Sequence, residues 1–444
     1  VLSQPAFKSF KGLTGSMRPL ELLLLFAMVS VLFTHAYYDR PLIRDQLESF
    51  RSAEFLKEQQ HFPIENANIQ APGTRYPPIF SVTLATLSAL MGLSIPTMAE
   101  LLAYATTVIM LLSMFLLARA ITNSEKKALI ATTVFLTMPW LFYRMTYPIA
   151  ESMGFSLLLL AVYTFHQQRY YAASIVLFVL PLVHFRSAAI ALGTLFLFAL
   201  LAQRIGVYLQ SALPSITLYV FLVPRQALEL SNPWVIPATA FEMIGVFALT
   251  LGILGAGYQL LVKNSGLESL TSSFVLAFFV TTLVLPFPFR QLLFLSPAIA
   301  IFASEIVDAA PRVLPGLFIA SAFILAYNVS YQSLPYRLEE QAGFQALQSM
   351  TGERVLAPFE YNYIIPWFSK KQVVAGPYVE ELADGIQRIR ELRGYYEGSN
   401  AGIQSEIESK YEPDFIVRRK PVDGFESIRS ARVLDSKSFS VERR

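Results

Sequence analysis

From residue 20 to residue 330 the chain passes through one apolar stretch after another, separated by short charged turns. That rhythm constrains the fold more than any single motif. An α-helix needs about 20 apolar residues to cross the ~30 Å hydrocarbon layer of a bilayer. Residues 20–37, 97–119, 128–142, 152–166, 171–184, 187–203, 208–223, 236–262, 268–287, 291–308 and 313–330 read as about eleven spans. Charged residues make up 15% of the chain, against about 25% in a soluble globule. The expected fold class is therefore a polytopic α-helical membrane protein. The first run is long and lacks a clear cleavage site, so it reads as a retained span and not a signal peptide.

About half of all charged side chains, 16 Lys or Arg and 17 Asp or Glu, fall in residues 331–444. The chain therefore reads as a membrane domain over 1–330, with a polar first outer loop at 38–96, followed by a small C-terminal α/β domain over 331–444. In that tail, 336–350 and 379–393 carry helical spacing, while 354–357, 372–375 and 415–417 are short apolar strand candidates. No Gly-rich phosphate loop accompanies them. A net charge of +3 gives no reason to expect nucleic acid. Zero cysteines excludes disulfides, thiolate metal sites and cysteine nucleophiles, and the four histidines do not sit at zinc-ligand spacing.

Charge placement orients the map. With Lys8, Lys11 and Arg18 inside, the turns carrying Arg119, Lys126, Lys127, Arg169, Arg204, Lys263 and Arg312 also fall inside, as the positive-inside bias requires. This holds if Ile79–Leu93 is a helix lying on or dipping into the outer face and not a full span. The N-terminus is then cytoplasmic, and the first loop and the tail are both extracytoplasmic. Asp45, Glu48, Glu54 and Glu58 form the wet face of an interfacial helix, with Leu47, Phe50, Phe55 and Leu56 expected to face lipid.

Ionisable residues near the outer face are the candidates for chemistry, because charge is costly at membrane depth. Asp39 ends the first span and reads either as an acid that holds or deprotonates an acceptor or as a solvated helix-end acid. Arg75-Tyr76-Pro77-Pro78 closes the first loop. Arg144 and Glu151 lie in the second outer loop, as part of a site or as a structural ion pair. His184 and Arg186 sit at a further outer boundary, where they orient a sugar or phosphate or serve as buried structural groups. Arg290 opens the span at 291–308 between Pro288 and Pro297. Its guanidinium fork suits a phosphate, as does a helix start; the other reading is that it snorkels to the interface.

Taken in order, the first-loop acid, Tyr-Pro-Pro, the second-loop Arg and acid and the late Arg resemble the GT-C superfamily of polyprenyl-phosphate-dependent glycosyltransferases, distantly including oligosaccharyltransferase catalytic subunits. The resemblance implies a membrane glycosyltransferase that moves a sugar from a polyprenyl-phosphate donor to a glycan, lipid or protein acceptor on the outer face. Asp39 and Glu151 would be catalytic and would share a divalent cation, Mg or Mn. Arg290, Arg75, Tyr76, Arg144, His184 and Arg186 would bind the substrate and its lipid phosphate. Two departures stand out. Ile149 occupies the place of a first acid in the second loop, and the Trp-Trp-Asp-Tyr-Gly acceptor motif is absent, which favours an acceptor other than an Asn sequon. The rival reading is a non-catalytic GT-C-like subunit of a larger complex, or a lipid or solute carrier.

Overall fold

The computed structural model describes residues 44–59, 79–136, 138, 149–222, 246–261, 277, 288–309, 338–358, 361–362, 364–375, 384–397, 400–419, 432–435 and 439–443. Their contacts divide the chain into two compact units. One comprises residues 1–39, 100–223 and 228–331; the other comprises 40–99, 224–227 and 332–444.

The first unit is helical. Its described elements are α3 (Ile95–Thr122, which begins in the second unit), α4 (Glu125–Leu136), α5 (Ala150–His166), α6 (Tyr170–Val183), α7 (Phe185–Leu201), α8 (Ile205–Leu222), α9 (Val246–Leu261) and α10 (Pro288–Ala309). The apolar stretches of the sequence became these helices, with ends shifted by a few residues. Among the described residues α3 is the one helix long and apolar enough, at 28 residues, to cross a membrane by length and composition. The spans expected at 20–37 and 313–330 lie outside the described residues, as does 268–287 apart from Ala277. Leu111, Phe135, Phe155, Leu177, Leu195 and Ile301 are part of one continuous buried core. The helices are apolar outward as well: Ile175, Leu213, Val220 and Ile253 are all more than half exposed. A helix apolar on every side belongs in the middle of a large core or in lipid.

Close helix contacts fix the position of α10. A Cβ on Gly255 of α9 would sit 1.9 Å from the carbonyl oxygen of Phe302, so the two backbones touch there and only glycine fits. At the C-terminal end of α10, Glu305 pairs with Lys127 at 2.7 Å and Asp308 with Lys126 at 2.6 Å. Glu305 is buried.

The second unit contains α1 (Arg44–Gln59), α2 (Ile79–Met91), α11 (Leu338–Leu347), α12 (Ile365–Ser369), α13 (Gly385–Glu397) and α14 (Ala401–Tyr411). Its strands are β1 (Arg354–Leu356), β2 (Gln372–Val373), β3 (Phe415–Arg419), β4 (Arg432–Asp435) and β5 (Phe439–Arg443). They form one sheet in the order β2-β1-β3-β5-β4. The pairs β1–β2 and β1–β3 are parallel, whereas β3–β5 and β4–β5 are antiparallel. Strand alternation places Val355, Phe415 and Val417 in one core and Leu356 and Ile416 in another, so helices cover both faces of the central strands. On the second face Glu391 joins α13 to α14 by accepting from Lys410 and Tyr411. Burial works to raise its pKa, but these donors and Gln387 outweigh it and hold the carboxyl below its usual value.

One expectation is overturned here. Leu47 and Phe50 do not face lipid. Leu47 is fully buried in the first core with Phe344, Phe415 and Val441, and the Phe50 ring meets Trp367 edge-on at 5.7 Å. Arg51 donates to the Lys370 carbonyl, and Lys370 pairs with Glu54. The first-loop helix thus folds as part of the sheet unit, because the tail offers its apolar face a protein core. α2 packs in the same unit by Phe80, Leu84 and Ser88, whose hydroxyl accepts from Lys57 at 3.0 Å.

Candidate functional site

Three helices of the first unit begin at the same end. α5 and α7 meet there so closely that a Cβ on Gly154 would lie 2.5 Å from His184 Cβ and 2.9 Å from Ser187 Oγ. Glu151 stands three residues before Gly154, in the first turn of α5, and is only 4% exposed. One turn after Glu151, the Phe155 ring packs against Phe294 of α10 at 5.3 Å. Phe294 is itself one turn after Arg290, the third residue of α10. The starts of α5 and α7 are therefore neighbours, and α10 meets α5 one turn past Arg290; these starts carry Glu151, His184 with Arg186, and Arg290 respectively. Ser156 Oγ, donating to the Thr106 carbonyl at 3.0 Å, ties α5 to α3 just below.

The local charges run against the helix dipoles. An α-helix start carries roughly half a positive charge and ordinarily attracts acids. Neither α7 nor α10 has an acid in its first turn. Each has an arginine instead, and Arg186 is buried. Glu151 is the acid that α5 contributes. Buried Glu151 and Arg186 stand in the first turns of α5 and α7, whose backbones meet at Gly154 and His184, and Arg290 is the third residue of α10; helix starts of this kind favour an anion.

His184 is held in one orientation. It is the N-cap of α7: its Nδ1 accepts the Ser187 backbone N–H at 3.2 Å and lies 2.7 Å from Ser187 Oγ. With Nδ1 accepting, the neutral ring carries its proton on Nε2, which becomes its donor edge. A histidine cap is an uncommon choice where Ser, Thr, Asp or Asn would serve.

Of the residues singled out in the sequence, Glu151, His184 and Arg186 lie at the adjoining starts of α5 and α7, and Arg290 lies in the first turn of α10. Asp39, Arg75, Tyr76 and Arg144 lie outside the described residues. Ile149, in the place of the missing acid, is the buried cap of α5 and contributes no side-chain cap bond. Among the described residues no group of three His, Asp or Glu side chains could hold a metal ion. Glu151 with a histidine whose Nδ1 is already engaged does not by itself fit Mg or Mn, which take several oxygen ligands. Sequence reasoning missed Gly154, Ser187 and the Phe155–Phe294 contact that assemble the site. The Ser three residues after His184 was the available signal for a cap.

No protein-family model matches the chain, and no curated protein matches it in sequence. Solved structures do match. The oligosaccharyltransferase of Archaeoglobus fulgidus in complex with zinc and sulfate superposes with a TM-score of 0.64 at 11% identity, over 88% of this chain and 67% of that one. The archaeal oligosaccharyltransferase AglB of the same organism, in complex with an inhibitory peptide and a dolichol-phosphate, gives 0.61 at 11%, over 90% and 69%. ArnT from Cupriavidus metallidurans, bound to undecaprenyl phosphate, gives 0.63 at 11%, over 95% and 97%. The chain has a GT-C-like fold. At this identity the likeness extends to the fold and not to individual side chains. Glu151 at the start of α5 and the arginines in the first turns of α7 and α10 are features of this chain's own residues.

Proposed function

We propose that the protein is an integral-membrane GT-C glycosyltransferase that moves a sugar from a polyprenyl-phosphate donor to an acceptor on the outer face. The observation that carries this reading is the close meeting of the α5 and α7 starts, which brings buried Glu151, His184 and Arg186 to one end of the helical unit, with α10 reaching α5 through Phe294 and Phe155. Structural neighbours with the same fold bind dolichol-phosphate and undecaprenyl phosphate, which supports a lipid phosphate as the anion. The apolar outward surface of the helices supports the membrane location. The N-terminus is cytoplasmic, and the domain at 331–444 lies outside with the first loop.

In the reaction an acceptor oxygen attacks the anomeric carbon while the bond from that carbon to the phosphate oxygen breaks. Asp39 takes the acceptor's proton, and Glu151 holds the acceptor beside it. The phosphate gains a negative charge as it leaves. Positive charge fixed at Arg290 and Arg186, the Nε2–H of His184 and the helix starts therefore stabilises the transition state more than the bound donor. No step here passes through a metal. A divalent cation shared with Asp39 would add Lewis-acid stabilisation at the same carboxylates.

The test is sugar transfer from a polyprenyl-phosphate donor by membranes containing the wild type or Asp39→Asn. The variant should insert and fold normally, since a helix-end acid contributes little stability, and transfer should be abolished. Equal transfer by both would overturn the assignment of Asp39. A second reading, a non-catalytic GT-C-like subunit, is favoured by the buried Ile149 where a second acid would stand. It expects donor binding without transfer by either form.

A further inference from the structure

Three described helices of the first unit contain an internal proline, and two of them pack together: α6 with Pro181 and α8 with Pro214. Proline has no N–H, so the carbonyl four residues before it loses its donor. For Pro181 that carbonyl belongs to Leu177. The hydroxyl of Ser215, on α8, donates to it at 2.6 Å. Ser215 is 1% exposed and directly follows Pro214. A second bond joins the same helices: Ser174 of α6 donates to the carbonyl of Ser211 at 2.6 Å, one residue past Gln210, whose carbonyl is the one that Pro214 deprives of its donor. The Pro181 turn is thus closed by a serine of the other helix. Where no water can reach, an unbonded carbonyl costs several kcal/mol, so such replacements are not optional.

The position of this exchange gives it a role. Pro181 lies three residues before His184, and α6 ends at Val183. The direction in which the chain leaves the Pro181 turn therefore determines where His184 caps α7 and where Arg186 comes to lie. We propose that Ser215 is a positioning residue for the anion site: its hydroxyl on the Leu177 carbonyl sets the α6 bend, and the bend sets His184 and Arg186. This rests on the lipid-phosphate reading of that site given above.

The Pro181 dependence makes the idea sharp. In Pro181→Ala the Leu177 carbonyl regains its own intrahelical donor, and the Ser215 hydroxyl becomes redundant. The experiment measures the Kd for undecaprenyl phosphate on the full chain in detergent, comparing wild type, Ser215→Ala, Ser215→Thr, Pro181→Ala and Pro181→Ala/Ser215→Ala. Ser215→Ala should weaken binding by about threefold, the size of one interhelical hydrogen bond. Ser215→Thr, which keeps the hydroxyl, should restore it. In the Pro181→Ala background Ser215→Ala should change nothing further. Equal Kd for Ser215→Ala and wild type, or the same loss in both backgrounds, would overturn the positioning role and leave Ser215 as simple helix packing. Arg290→Ala serves as the control on the site itself. If wild type and Arg290→Ala bind alike, the donor site and this inference both fall. If Arg290→Ala weakens binding while Ser215→Ala does not, only the inference falls.

Discussion

The two ends of α10 break the same rule and resolve it differently. Arginine stands in its first turn and acids stand near its last, both opposed to the helix dipole. At the C-terminal end each acid meets a lysine of α4, Glu305 with Lys127 and Asp308 with Lys126. That end is neutralised by the chain itself. At the other end, about 22 Å along the axis, Arg290 stands in the first turn with no acid beside it in that turn. On the proposed reading, Arg290 there serves the phosphate of the donor. The contrast separates charge that holds a fold together from charge that is set up to bind.

If the contrast is right, substitutions at the two ends should affect different measurements. The largest effect should come from Arg290. Charge-assisted hydrogen bonds to a phosphate contribute about 1.5–3 kcal/mol, so Arg290→Ala should weaken binding of a polyprenyl-phosphate donor by roughly 10- to 100-fold. Arg290→Lys keeps the charge without the planar fork and should fall between. Titration of the three forms with the same donor checks the order, and equal affinities would mean that Arg290 merely snorkels.

Glu305→Ala should act on stability instead. It leaves the Lys127 ammonium, whose side chain is 18% exposed, without its partner, at a cost of up to about 3 kcal/mol. Thermal unfolding in detergent should show the loss, and donor affinity should not change. A fall in affinity with no fall in stability would erase the distinction between the ends. The smallest effect belongs to Lys126→Ala. Its side chain is 67% exposed, and such pairs contribute about 0–1 kcal/mol and weaken with salt. Unfolding measured at low and high ionic strength would separate this pair from the buried one.

Much of the helical unit was legible because apolar runs and charged turns report directly on span and break. The windows 152–166 and 187–203 became α5 and α7 within two residues at each end. Arg290 was expected at a helix start, and the prolines around it place it in the first turn of α10. The strand runs at 354–357 and 415–417 also formed strands. What the sequence could not give was the meeting of distant parts. The Gly154 contact with His184 and the Phe155 contact with Phe294 join positions 30 and 139 residues apart, and periodicity along one helix carries no information about its neighbours. The misreading of Leu47 and Phe50 has the same origin. An apolar helix face looks alike whether lipid or a protein core covers it, and here the cover is encoded some 300 residues downstream.

That distance affects the order in which the protein can be built. Leu47 is buried against Phe344, Val355, Phe415 and Val441, side chains that do not yet exist when α1 leaves the ribosome. At about 5–20 residues per second, α1 waits for tens of seconds before its partners are made. Its apolar face is open to wrong partners for that whole interval, so the moment of greatest risk for this chain comes early in synthesis. Of these partners Val441, in β5, is the last to be made.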